Sequence, residues 1–175
     1  ANETLRFLDN KYGKLHDAEI NYSLTIKKIK FFSAYGDYAR VKFELNKAKR
    51  FQFFFKVKKQ DKLYLDLYNA VYESLGQDYD LLIGEATKIL DESNKTDKYL
   101  LLQCHLVLAN CYSEKGNFEK ALNHILEAKV LTQKMSAAYS FQVSNSAGQV
   151  YFFNNNTGKA LREFLFAKKL AQNNH

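Results

Sequence analysis

Apolar residues recur along this chain at intervals of three and four, with short polar breaks between the runs. Phe118, Ala121, Leu122, Ile125, Ala128 and Leu131 form the most regular run, and their spacing predicts an amphipathic helix. Before it, Leu102, Leu106, Val107, Leu108, Ala109 and Cys111 predict a helix that stops at Ser113-Glu-Lys-Gly-Asn117. Gly116 suits the left-handed position that closes a helix, and Asn117 suits the cap that opens the next one. The two helices therefore form an antiparallel hairpin with a turn of about four residues.

The same pattern fits three other stretches. Repeat one has Ile26, Ile29 and Phe32, the turn Ala34-Tyr-Gly-Asp37 with Asp37 as cap, then Tyr38, Val41, Leu45, Ala48 and Phe51. Repeat two has Leu63, Leu67, Ala70 and Val71, the turn Leu75-Gly-Gln-Asp78, then Tyr79, Leu82, Ile83, Ala86, Ile89 and Leu90, with its second helix displaced by one residue. Repeat four has Phe141, Ala147, Gly148 and Tyr151, the turn Asn154-Asn-Asn-Thr-Gly158, then Ala160, Leu161, Phe164, Ala167 and Leu170. Asn155 takes the glycine's place there, since asparagine tolerates the same backbone region. Gly36, Gly76 and Gly116 fall 40 residues apart, with Phe32, Tyr72 and Tyr112 four places before them and Tyr151 continuing the aromatic series. A period of this length predicts stacked supersecondary units, none able to bury its apolar face alone. The expected fold is all-α, a solenoid of about four antiparallel hairpins with roughly eight or nine helices. It would fill 1–175 as a single repeat domain, with repeats at approximately 20–58, 61–95, 98–135 and 137–172.

Small residues stand where paired helices must approach closely: Ala109 with Ala121 and Ala128, and Gly148 with Ala160 and Ala167. Together with Tyr112 and Tyr151, this pattern over about 102–170 resembles the tetratricopeptide repeat family. Repeats one and two depart from it. Ile29 and Asn69 replace the small residue of the first helix, and Val41, Leu81 and Lys88 stand at alanine positions. The usual family repeat is about 34 residues long, and the lengthened units here look like those of bacterial regulators that sense a peptide or partner protein. That resemblance implies a right-handed solenoid and a protein- or peptide-binding scaffold, a sensor or interaction domain whose first helices line a concave groove.

On that register Asp66, Ala70, Glu73, Leu106, Asn110, Ser113, Asn145, Gln149 and Phe152 are implied to face the groove, with Gln103 and Gln142 near its edge. A carboxamide offers both a donor and an acceptor, so Asn110, Asn145 and Gln149 suit pairing with the backbone of an extended peptide. Ordinary solvent-facing residues are the alternative. Regulators of this kind commonly carry another domain, so the chain is expected to be a fragment of a larger protein. Glu3 to Tyr12, with Leu5, Leu8 and Tyr12 on one side, reads either as the second helix of a preceding repeat or as a cap.

The charge is uneven. Lysine and arginine number 26 against 19 acidic residues, a formal excess of +7. Residues 40–62 alone carry nine basic and two acidic residues, interleaved with Phe51, Phe53, Phe54 and Phe55. Arg50, Phe53, Phe54, Lys56, Lys58 and Lys59 are therefore candidates for a partner surface. The phenylalanines read first as packing between repeats one and two, next as a contact with a protein partner or a second copy, and last as stacking platforms for single-stranded nucleic acid. Self-assembly stays open as a structural alternative.

No catalytic or cofactor constellation emerges, so a non-enzyme is expected. Cys104, His105 and Cys111 lack a fourth ligand at zinc-site spacing. His16 and His124 read as isolated surface or local hydrogen-bonding residues, and Gly84 has no phosphate loop around it. Cys104 and Cys111 read as core thiols, which fits a reducing, cytoplasmic setting. No run reaches the roughly 18 apolar residues that a membrane span requires, so no membrane contact is expected.

Overall fold

The computed structural model of the chain describes residues 18–34, 37–51, 57–74, 78–93, 95, 97–133 and 135–172. Among these the regular structure is entirely helical, in eight helices. They are α1 (Ala18–Ala34), α2 (Tyr38–Phe51), α3 (Lys59–Glu73), α4 (Tyr79–Glu92), α5 (Lys98–Glu114), α6 (Phe118–Thr132), α7 (Ala137–Phe153) and α8 (Thr157–Gln172). They run as four consecutive pairs, the hairpins expected from the sequence. The second helices begin at Tyr38, Tyr79, Phe118 and Thr157, in steps of 41, 39 and 39. Repeat two is thus displaced by one residue, as its pattern indicated. Gly36, Gly76 and the segment from Glu3 to Tyr12 lie outside the described residues.

Three of the turns share one construction, in which the aromatic residue before the break takes part. In repeats one, three and four the carbonyl of Phe32, Tyr112 or Tyr151 accepts from the backbone N–H of the cap, Asp37, Asn117 or Asn156, at 2.8–2.9 Å. The cap side chain then accepts from the N–H three residues on, at Arg40, Lys120 or Lys159, each at 3.2 Å. Those cations lie over the rings of the same three aromatics, at 5.3, 5.2 and 5.4 Å. Gly116 at φ 73° and Asn155 at φ 55° supply the left-handed residue. Repeat two keeps the cap, Asp78 accepting from Leu81 at 3.0 Å, but puts an exposed leucine where the others have a cation.

The chain divides into two compact units, Ala1–Leu65 and Asp66–His175. In the first, α1 packs on α2. Ile26, Ile29 and Phe32 meet Val41, Leu45 and Ala48 as a buried layer, each large side chain contributing roughly 1.5–3 kcal/mol by leaving water. Lys28 and Glu44 sit inside this layer, 3.9 Å apart and each 7% exposed at the side chain.

In the second unit α5 packs on α6 and α7 on α8, and α4 also contacts α5. Leu102, Leu106 and Ala109 of α5, Ala121, Ile125 and Ala128 of α6, and Val143, Ala147 and Val150 of α7 form one core. Among the described glycines, Gly148 is the one with no room for a side chain. A Cβ there would come within 2.5 Å of the Phe164 ring, so only glycine lets α8 approach α7 as it does. The small-residue positions read from the sequence are therefore close helix contacts. Leu161 falls in the apolar run of repeat four, which predicts a packed residue, yet it is 59% exposed. Its counterpart Leu122 packs partly against the core. The difference follows from neighbours: α7 lies over α6, and no described helix follows α8.

Candidate functional site

The first helices of repeats two to four carry the expected groove residues. Tyr68 on α3 and Tyr99 on α5 share a hydrogen bond at 3.0 Å, and Tyr99 meets Tyr139 of α7 edge to face at 5.4 Å. Gln103 Nε2 donates to Gln142 Oε1 at 3.1 Å, tying α5 to α7 one turn further along. These contacts set the register of the first helices against one another.

Asn110 lies two helical turns beyond Gln103, and Gln149 two turns beyond Gln142. Both are exposed, Asn145 and Gln142 are half-buried, and Phe152 is 58% exposed. The remaining expected groove residues differ. Gln103 is buried, with its carboxamide held by Gln142. Leu106 and Ser113 are each 5% exposed, because α7 lies directly against α5 and draws Leu106 into the core. On α3, Asp66 and Ala70 are half-buried and Glu73 is exposed. Glu73 lines an open cleft of about 540 Å³ with Ser74, Asp78, Tyr79, Asp80, Leu81 and Lys115. Lys115 Nζ crosses that cleft to both carboxylate oxygens of Asp80, at 2.8 Å each.

Of the candidate partner surface, Arg50, Lys58 and Lys59 are exposed. Phe53, Phe54 and Lys56 lie outside the described residues, as does Phe55. Among the described residues of this region the exposed aromatic is Phe43 on α2, at 69%. Sequence reading passed over it, although it falls off the apolar stripe of Val41, Leu45 and Ala48 and so had to face outward.

His124 does not stand alone. Its Nδ1 lies 3.0 Å from His105 Nδ1, and its ring stacks on Tyr112 at 5.6 Å. Burial holds both imidazoles below the usual histidine range. For His105 the nearby His124 and Lys95 push in the same direction while Glu127 opposes; for His124 Glu127 opposes and Lys120 adds to the lowering. Cys104 and Cys111 are buried free thiols. Burial, with Asp97 adding, pushes Cys104 up to about 12, and burial with Glu114 pushes Cys111 up to about 11, so neither is a nucleophile near neutral pH. Among the described residues no three histidine, cysteine or acidic side chains gather as a metal site. No described helix is long and apolar enough to cross a membrane. No family model, curated protein or solved structure matches the chain.

Proposed function

We propose that this chain is a tetratricopeptide-type scaffold that binds an extended peptide or protein segment along the first helices of repeats three and four. The observation that carries the reading is the Gln103–Gln142 bond, which holds α5 and α7 side by side so that the exposed Asn110 and Gln149 continue the same two stripes. In this reading Asn110, Asn145 and Gln149 bond the peptide's amides and carbonyls, and Phe152 covers an apolar side chain. Gln103 and Gln142 brace the floor instead of touching ligand. The chain is a recognition module, not an enzyme. Its role is that of a sensor or interaction domain of a regulator in a reducing, cytoplasmic compartment.

The experiment is selection of peptides on the intact chain from a random library, followed by titration of the best binder. Asn110→Ala and Gln149→Ala each weaken that peptide about tenfold, the loss of one or two buried hydrogen bonds, with helical circular dichroism unchanged. Unaltered affinity in both variants removes the groove from consideration.

Self-association is a second reading, favoured by Leu161, Leu165 and Phe166, which are 59%, 56% and 51% exposed on α8. Sedimentation of the wild type against Leu161→Glu decides it: a dimer lost in the variant supports that face, and a monomer at all concentrations rejects it.

A further inference from the structure

Helix α2 has two unlike faces. Val41, Glu44, Leu45 and Ala48 are buried, and this stripe packs on α1. Lys42, Phe43, Asn46, Lys49 and Arg50 are exposed on the other side. Phe43, at 69%, is the most exposed large apolar residue among those described. By helical geometry Phe43, Asn46 and Arg50 form the crest of that face. Lys42 and Lys49 run along one flank and Arg40 and Lys47 along the other, each pair about 10 Å apart along the axis. Glu44 is the sole acid of the helix, and it is buried 3.9 Å from Lys28. The outward surface of α2 therefore offers cations and one aromatic ring, without a carboxylate of its own. Asp37, just ahead of the helix, pairs with Arg40 at 3.1 Å.

We infer that the outer face of α2 docks an acidic, amphipathic segment of a protein partner, with Phe43 as the apolar anchor and Lys42, Lys47 and Arg50 as its charge partners. Charge complementarity selects the partner: rows of cations on either side of one ring match an apolar side chain set between carboxylates. Single-stranded nucleic acid fits less well. Successive bases need successive rings, and the crest continues with Asn46 and Arg50. A bilayer fits less well too, because a helix lying in lipid turns its apolar stripe outward, and the stripe of α2 is already packed on α1. This surface belongs to repeat one, shares no residue with the peptide groove, and stands or falls independently of it.

The test uses the intact chain and a fluorescein-labelled synthetic helical peptide of leucine and glutamate, followed by fluorescence anisotropy at low and high salt. Saturable, salt-weakened binding is expected. Phe43→Ser and Arg50→Glu each reduce affinity about tenfold, while Lys168→Glu on α8 leaves it unchanged. Because Phe43 is exposed, its serine variant keeps wild-type circular dichroism. The inference is overturned by any of four results: no binding, equal binding of polyglutamate of the same length, undiminished binding by Phe43→Ser, or tighter binding of a single-stranded oligonucleotide or of phosphatidylserine vesicles.

Discussion

His105 Nδ1 and His124 Nδ1 face each other at 3.0 Å across the hairpin of repeat three. One ring must donate and the other accept, so the contact survives while at least one imidazole is neutral. A second proton makes both atoms donors and breaks it. Both folded-state pKa values lie below the ordinary 6.5, chiefly through burial. The unfolded chain therefore binds protons first as pH falls, and the stability these groups contribute is complete above about pH 6.5 and lost below it. Urea unfolding at pH 7.5 and 5.5 should show the lower midpoint at pH 5.5. In His124→Asn, which keeps a polar side chain without the charge, the difference between the two pH values shrinks. An equal difference in both proteins would assign the effect to other groups.

Gly148 and Phe164 fix how closely α7 and α8 pack. Alanine at 148 would gain up to about 1 kcal/mol of helix propensity, but its Cβ meets three atoms of the Phe164 ring within 2.9 Å, and overpacking of this kind costs about 1–3 kcal/mol. Gly148→Ala is expected to destabilise the wild type and to stabilise a Phe164→Leu background. A double-mutant cycle by thermal unfolding checks this, and additivity of the two changes would show that the ring gives way freely.

The hairpins were legible because a 3.6-residue apolar period and a cap residue recur in every repeat, joined in repeats three and four by a left-handed residue, as at Ile125, Asn117 and Gly116. Polar residues on the apolar stripe were the part left unread. Glu44, His124 and Glu163 stand three places after Val41, Ala121 and Ala160, the corresponding buried positions of their second helices. Each finds a partner on another helix: Lys28, His105 and Lys129 respectively. A charge on a stripe signals such a partner, but it does not say which helix supplies it. The groove was read by family register, which fixes where a Cβ points and not how closely the next helix approaches. Gln103, Leu106 and Ser113 are covered for that reason, while Asn110 and Gln149 stay open.

Lys28 and Glu44 form such a pair inside the α1–α2 layer. Removing Glu44 takes a counter-charge away from the buried Lys28 at a cost of about 3 kcal/mol or more, whereas replacing both with apolar residues is close to neutral. Glu44→Leu should therefore speed amide exchange across α1 and α2, and Lys28→Met added to it should restore slow exchange. Hydrogen-exchange mass spectrometry on the intact chain reads both helices directly. Protection that stays wild-type in Glu44→Leu would show that water already reaches the pair.

Gly116 and Asn155 occupy the same left-handed position, at φ 73° and 55°, in turns that are otherwise built alike. Glycine takes that conformation without a Cβ penalty, asparagine does so at a modest one, and alanine pays about 1–2 kcal/mol. Gly116→Ala is expected to lower stability by about that amount, because no atom lies within 4 Å of the added Cβ and backbone strain acts alone. Asn155→Gly changes stability by less than about 1 kcal/mol, since relief of strain is offset by the greater freedom of the unfolded glycine. Asn155→Ala falls with Gly116→Ala. Thermal unfolding of the three variants orders them, and a Gly116→Ala protein as stable as the wild type would mean that the turn of repeat three relaxes to a right-handed geometry.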